Sequence, residues 1–305
     1  MLSILNKVKL GTHSGERPPA AVEIAAGGVL AAALRGPGLP PAYAYQPIPA
    51  SALVPGIGEP NLRAPEAIAS ALRLALGQVA PGSRAVTLVI PDTAVRVFVL
   101  DFDSFSNKPA EAYPLLRFRL RRMVPFDVEH AGLSYQILSE SMTEYRVLAT
   151  VIPGPILQQY EAAVQAAGYQ SGAVLSSSLA ALAAIDSMEA VLTANLSGLA
   201  LTTSITNSSD LLLYRTLDLP EDASLRLAEV RRGIAVAAAY YEDKLHVRTS
   251  RLLYSGEGGA EAFARMIGDA QLTVADLAPR PETGVVTAWG DMSTAGVAGA
   301  LAEAR

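Results

Sequence analysis

The hydrophobic positions of the chain fall into short apolar runs that alternate with longer amphipathic stretches. Early in the chain, two such runs flank Gly27 and Gly28 and predict two strands joined by a tight glycine turn. The run 85–90 is continuously apolar and predicts a strand buried on both faces. The first half is therefore predicted to contain strands at 21–25, 29–34, 85–90 and 173–175, and helices at 65–76, 155–167 and 178–185.

The second half restarts the same alternation. Three strand-like runs come first, a long helix follows, and a glycine-rich turn leads into another helix. Two copies of one mixed α/β unit are the simplest organisation that explains this order. The predicted elements are strands at 190–196, 200–206, 211–217 and 247–254, helices at 225–241 and 260–268, and one more strand and a small-residue helix after 281.

One segment interrupts the repeat. Residues 93–153 predict a helix at 111–124, ended by Pro125, and an antiparallel pair of strands at 133–138 and 145–152. This helix is expected to bury Leu116, Leu120, Met123 and Val124. The predicted organisation is a flexible leader at 1–19, a first lobe at 20–92 and 154–188, an inserted α+β domain at 93–153, and a second lobe at 189–305.

Composition narrows the possible functions. Half of the 305 residues are hydrophobic, so the chain can bury a substantial core, and the net charge of −5 argues against a sequence-independent nucleic-acid binder. The chain has no cysteine, and its three histidines are each more than a hundred residues from the next, so no metal site is expected. No apolar stretch reaches the roughly 20 residues of a membrane span, which favours a cytoplasmic protein.

Two polar clusters have both a chemical and a structural interpretation. Ser176, Ser177 and Ser178 suggest a nucleophile, but without a nearby histidine they are better explained as an N-cap for the following helix. Four arginines between 117 and 122 could bind an acidic lipid or an acidic partner tail. At helical spacing they spread around the helix, which favours a solvated face.

An ordered set of motifs resembles the PilM proteins of type IV pilus assembly. The stretch 117–126 ends in Val-Pro-Phe and is followed by Leu-Ser-Tyr-Gln-Ile-Leu at 133–138. Tyr214 and Arg215 resemble the end of a family strand, and 255–260 resembles a family Ser-Gly-Gly-Gly-Ala turn. The resemblance implies a two-lobed actin-like (ribonuclease H-like) α/β fold related to FtsA, with a small α+β domain inserted in the first lobe.

The resemblance also implies where a nucleotide would bind, and there the sequence departs from the family. Members hold ATP between the lobes with two phosphate loops that carry aspartate, glycine and lysine. At these positions the first loop has Glu23, Ala25 and Leu30, and the second has Asn195 and Ser197. A neutral amide cannot serve as a metal-bound carboxylate. We therefore expect a degenerate nucleotide site, no bound ATP or metal and no enzymatic activity, at Glu23, Ala25, Gly27, Gly28, Asn195, Ser197, Gly256, Gly258 and Gly259.

Two alternatives stay open. One is a working ATP-binding or ATP-hydrolysing member of the actin and sugar-kinase superfamily. The other is a protein similar to the cytoplasmic part of the type II secretion component GspL, which shares the fold. In either alternative the glycine-rich turn at 256–259 could cradle an anion, although such a turn is more often only a turn.

The resemblance further implies a partner. PilM binds the N-terminal peptide of the membrane-anchored component PilN in a groove between the first lobe and the inserted domain. By analogy, Pro125, Phe126, Arg121 and Val89 are the predicted partner-binding residues, and the protein would be peripheral to the inner membrane through that partner. On the residues alone, Pro125 and Phe126 are better explained as a helix stop with the ring in the local core.

Overall fold

The computed structural model describes residues 17–58, 60–208, 210–279 and 292–302. It contains thirteen strands and seven α-helices over these residues. The strands are β1 (Ala20–Ala25), β2 (Gly28–Ala33), β3 (Ala42–Pro47), β4 (Ala85–Ile90), β5 (Arg96–Phe102), β6 (Gly132–Glu140), β7 (Tyr145–Ile152), β8 (Gln170–Ser176), β9 (Ala190–Ser197), β10 (Ala200–Asn207), β11 (Asp210–Asp218), β12 (Arg251–Tyr254) and β13 (Thr273–Asp276). The helices are α1 (Pro65–Val79), α2 (Pro109–Leu120), α3 (Gly154–Ala166), α4 (Ser177–Leu182), α5 (Ala223–Leu245), α6 (Gly259–Ile267) and α7 (Ala295–Ala302).

The first sheet has the order β3-β2-β1-β4-β8. Strands β1, β2 and β3 are antiparallel neighbours, and β4 and β8 run parallel to β1. Because side chains alternate across a strand, Val22 and Ile24 pack against α1 and α3 on one face, whereas Ala21 and Ala25 pack against α4 and α7 on the other. Burial of both faces explains why β1, β2 and β4 are mainly apolar, with Glu23 and Thr87 as the polar exceptions.

The second sheet repeats this connectivity, with the order β11-β10-β9-β12-β13. Again the first three strands are antiparallel and the last two run parallel to the first. Helices α5 and α6 cover one face through Val230, Ile234 and Phe263. The predicted repeat of one α/β unit is therefore confirmed at the level of strand order.

The segment between the two halves of the first sheet forms its own antiparallel sheet, β5-β7-β6, with α2 packed on it. Leu116, Leu120 and Val124 are buried as expected, but the helix ends at Leu120 and not at 124. Met123 is 42% exposed, so its expected burial was wrong. The chain turns after Leu120, so Met123 does not continue the helical stripe that faces the core.

Helix α7 is placed differently from its expected position in the second lobe. It packs against α4 and the first sheet, through Val297, Ala300 and Leu301. Its small residues permit a close approach: a Cβ at Gly299 would lie 1.9 Å from the Ala180 carbonyl oxygen. The chain thus leaves the first lobe, builds the second and returns to the first.

Some predicted elements have different bounds in the structure, and others fall outside the described residues. Helix α1 continues through Gly77, the predicted stop, and the strand expected at 247–254 forms only at Arg251–Tyr254. Residues 1–16 of the predicted leader, and the strand expected between 281 and α7, lie outside the described residues. Within the described ranges, none of the helices has both the length and the apolarity needed to cross a membrane.

Candidate functional site

The central strands of the two sheets bring two predicted site residues into one buried cluster. Glu23 on β1 is 7% exposed and Asn195 on β9 is 3% exposed. The hydroxyls of α4 link them: Ser177 Oγ donates to Glu23 Oε1 at 2.6 Å, and Asn195 Nδ2 lies 3.4 Å from Ser177 Oγ and 3.0 Å from Ser178 Oγ. This hydrogen-bonded chain joins the first lobe to the second.

Asp92, immediately after β4, connects the cluster further. Its carboxylate accepts hydrogen bonds from Ser178 N at 3.0 Å, from Ser178 Oγ, and from Thr202 Oγ1 of the second lobe at 2.8 Å. Ser176 occupies the predicted N-cap position of α4, but its side chain makes no capping hydrogen bond. A carboxylate from a different element satisfies the helix N-terminus instead.

The cluster is acidic and buried. Burial raises the pKa of Glu23 to about 7, against a lowering hydrogen bond from Ser177, and the charges of Asp92 and Glu257 raise it further. Burial likewise raises the pKa of Asp92. Over the described ranges, neither carboxylate has a lysine or arginine partner, and Glu23 Oε2 accepts no hydrogen bond. Glu23 therefore tends to hold a proton near neutral pH, and the shift of Asp92 has the same direction.

The first predicted phosphate loop is the turn between β1 and β2. Ala25 is buried at the end of β1, and the Tyr45 hydroxyl donates to the Gly27 carbonyl at 2.7 Å. A Cβ at Gly28 would lie 2.5 Å from the Tyr45 ring, which explains the glycine. Met292 is buried, and its Cγ would lie 3.9 Å from a Cβ at Gly27. The side chains of Tyr45 and Met292 thus lie against this turn.

The second and third loops contact each other. Ser197 ends β9, and Gly198 follows with a φ of +56°. A Cβ at Gly256 would lie 2.5 Å from Leu196 N and 2.6 Å from Leu196 O, so only glycine permits this contact. The glycine-rich turn therefore holds the end of β9 in place.

The same turn leads into the N-terminus of α6, where the sequence suggested that an anion could bind. Gly258 and Gly259 have φ values of +78° and +79°, a conformation that favours glycine. The Ala260 N–H at the start of α6 donates to Asp276 Oδ1 at 2.8 Å. The helix N-terminus is already in contact with a carboxylate of the protein, which competes with an external phosphate.

Within the described ranges, the polar side chains of this cluster are carboxyls, hydroxyls and one amide, without lysine or arginine. Binding of a triphosphate relies on cations or free N–H groups, whereas the titratable side chains of this cluster are Glu23, Asp92 and the nearby Glu257. Asn195 uses its amide within the cluster. Among the residues that the structure describes, no group of three or more His, Cys, Asp or Glu side chains could hold a metal ion.

The predicted partner-binding residues separate into two places. Phe126 is half-buried and packs against the core of the small sheet, Pro125 is exposed, and Arg121 is exposed and pairs with Glu129 at 2.6 Å. These residues precede the turn that meets α3, where a Cβ at Gly154 would lie 2.3 Å from a carbonyl oxygen of the inserted segment. His130, four residues after Phe126, therefore lies at the junction with the first lobe.

Val89 does not belong with them. It is fully buried on the face of β4 that α7 covers, in a cluster with Val297 and Ala300. Val89 was included in the partner surface by analogy with the family, and its burial under α7 removes it from any exposed surface.

The inserted segment also contacts the second lobe. Arg96 on β5 pairs with Asp218 on β11 at 2.9 Å, and Arg146 Nη2 donates to the Leu212 carbonyl at 2.8 Å. Leu148 on β7 lies in one apolar cluster with residues of α4 and β11. The inserted segment therefore bridges the two lobes outside the cleft.

Sequence reasoning missed Asp92, Thr202 and the role of the serines at 177 and 178. A usable signal existed, because each of them is a polar residue within or beside an apolar run. A buried polar group requires a hydrogen-bond partner, but a sequence does not identify which partner.

Two sheets of equivalent strand order, joined by a buried polar cluster, define the class: the chain has the actin-like fold, as the sequence predicted. In detail the chain is similar to PilM as solved in a PilM–PilN type IV pilus biogenesis complex, with a TM-score of 0.70, 15% identity, and coverage of 95% of this chain and 98% of that one. The predicted resemblance to PilM is confirmed at the level of the fold.

Two further solved structures are similar at lower scores. One is the cytoplasmic domain of EpsL, an inner-membrane component of the type II secretion system of Vibrio cholerae, with a TM-score of 0.48, 12% identity, and coverage of 78% of this chain and 81% of that one. The other is a protein of unknown function with an actin-like ATPase fold from Bacteroides thetaiotaomicron, with a TM-score of 0.48, 10% identity, and coverage of 87% and 94%. No protein-family model and no curated protein sequence matches the chain.

Proposed function

We propose that the protein is a scaffold of a type IV pilus or related secretion assembly, which acts at the cytoplasmic side of the inner membrane without catalysis. The observation that carries the proposal is the match to PilM over 95% of this chain and 98% of the other, which leaves almost no part of either fold unmatched. PilM was solved together with PilN, and a similar membrane-anchored protein is the partner proposed here.

The proposal includes a lost nucleotide site. The supporting observation is the bridge between the lobes: Asn195 and Thr202 of the second lobe donate hydrogen bonds to Ser178 and Asp92 of the first. A nucleotide would have to displace these bonds and place its phosphates beside carboxylates that lack a cation. The side chains take over the task of connecting the lobes that ATP performs in an actin-like ATPase.

The proposed partner surface is centred on Phe126 and Pro125, beside the junction of the inserted segment and the first lobe. A short peptide would bury a few aliphatic side chains there, at about 1.5–3 kcal/mol for each that is fully buried. After the cost of ordering the peptide, micromolar affinity follows, which suffices when the membrane holds the partner nearby.

The test is binding of the N-terminal peptide of a PilN-like protein from the same organism, measured by isothermal titration. Phe126→Ala is expected to weaken binding about tenfold, since the ring supplies apolar contact area. Leu225→Ala removes an apolar side chain that is 59% exposed on α5, and should leave binding unchanged. A melting curve of Phe126→Ala shows whether the variant is folded.

Two results would overturn the proposal. One is the absence of peptide binding by the wild-type chain. The other is micromolar binding of Mg-ATP in the same calorimeter, which would favour a working ATP-binding member of the superfamily. If the peptide binds the wild type and a folded Phe126→Ala variant equally, the scaffold function stands but Phe126 is not part of the site.

A further inference from the structure

The outer face of α2 and the turn after it carry apolar and basic side chains together. Phe118 is 65% exposed, Met123 is 42% exposed and Leu115 is 36% exposed. Arg119 and Arg122 are exposed beside them. We call these five residues the α2 patch. Exposed apolar groups of this size next to one another mark an interaction surface more often than a solvated one.

The geometry of α2 explains why the patch faces outward. Ala112, Leu116 and Leu120 recur every four residues and bury one stripe of the helix in the small sheet. Leu115 and Phe118 are three residues apart and lie on the opposite side. The helix ends at Leu120, so Arg122 and Met123 extend this outer surface and do not wrap around toward the core.

The charge of the patch opposes that of the whole protein. The chain has a net charge of −5, yet residues 112–126 contain four arginines and no aspartate or glutamate. Arg121 is paired with Glu129. In the ranges that the structure describes, Arg119 and Arg122 make neither an ion pair nor a side-chain hydrogen bond. Two guanidinium groups are therefore available beside an exposed aromatic ring.

We propose that the α2 patch binds the surface of an anionic phospholipid bilayer. The arginines attract acidic headgroups, and Phe118 and Leu115 enter the boundary between headgroups and acyl chains. A peptide partner would need a concave pocket for its anchors, whereas Phe118 protrudes into solvent. A bilayer accepts a convex apolar residue because its lipids move aside. This contact goes beyond the proposed binding of a membrane-anchored peptide, because it needs no protein partner.

The test is co-sedimentation of the full chain with vesicles of mixed phosphatidylglycerol and phosphatidylcholine, compared with vesicles of pure phosphatidylcholine. The wild type is expected to bind only the anionic vesicles and to be released by high salt. Each basic residue near such a surface contributes roughly a fivefold gain in binding, so Arg119→Gln with Arg122→Gln should weaken it about thirtyfold. Phe118→Ser should also weaken binding, without loss of stability because the ring is exposed.

Matched controls remove the same groups elsewhere. Arg215→Gln with Arg251→Gln deletes two exposed arginines of the second lobe, and Leu225→Ser deletes an exposed apolar side chain. Both should bind vesicles like the wild type. The proposal fails if the wild type ignores anionic vesicles, or if the control pair and the patch pair lose binding equally. It also fails if the patch variants keep vesicle binding and lose a peptide partner, which would identify the patch as a protein-binding surface.

Discussion

Replacing Glu23 with glutamine should remove a pH-dependent loss of stability. The pKa of Glu23 rises from 4.5 to about 7 on folding, chiefly because the carboxyl is buried. A raised folded-state pKa means that the stabilising, protonated form is fully present below pH 4.5 and is lost as the pH rises through about 7. A difference of about 2.5 pH units corresponds to about 3 kcal/mol.

The glutamine is neutral at every pH and keeps an oxygen that can accept the Ser177 hydrogen bond. Glu23→Gln should therefore match the wild type in acid and exceed it by up to about 3 kcal/mol at mildly alkaline pH. The measurement is urea unfolding, followed by circular dichroism, from about pH 5 to about pH 8. Burial of Asp92 acts in the same direction, but it is present in both proteins and largely cancels in the comparison.

The control is Glu261→Gln, whose carboxylate is 88% exposed and lies 3.6 Å from Arg265 on the same helix. Its effect should be small at all pH values, because exposed ion pairs contribute little. A difference between wild type and Glu23→Gln that stays flat with pH would refute the reasoning. A wild type that gains stability over the variant as the pH rises would mean that the carboxylate is charged and has a cation beside it.

Two more substitutions test the packing around the cleft. Asp92→Ala should lower the free energy of unfolding by at least about 3 kcal/mol in urea titrations, because it leaves several buried donors unpaired. The control Asp218→Ala breaks a partly exposed ion pair and should cost less than about 1 kcal/mol. Equal effects of the two variants would contradict the role of the cluster. In thermal melts, Gly299→Ala should destabilise the protein by about 2 kcal/mol or more, because the new Cβ would clash with the Ala180 carbonyl. The control Gly77→Ala in α1 adds a Cβ that meets no atom within 4 Å, so it should be neutral or stabilising. A neutral Gly299→Ala would mean that α7 does not dock as closely as described.

Local pattern was enough to predict most strands and the repeat. The run at β4 is apolar except for Thr87 because α1 and α3 cover one face and α4 and α7 cover the other, and such two-sided burial is visible in sequence. The position of α7 was not predictable, because its run of alanine and glycine has no polar face that would show which surface it covers.

The cleft cluster was predictable only in part. Glu23 and Asn195 were found through motif positions, but Asp92 and Thr202 are 110 residues apart and meet only when the two lobes come together. Val89 was assigned to the partner surface by analogy with the family, but α7, about 200 residues later in the chain, covers it. In each case the missing information was a contact between segments distant in sequence.

The return of α7 to the first lobe has a consequence for synthesis of the protein. The strands of the first sheet are complete once β8 has been made, but about 120 further residues must be translated before α7 can cover Leu30, Val89 and Leu175. At roughly 5–20 residues per second, the ribosome leaves this apolar face unprotected for on the order of ten seconds. The nascent chain is therefore a candidate for chaperone binding during that interval, and premature termination anywhere in the second lobe should yield an aggregation-prone fragment and not a stable first lobe.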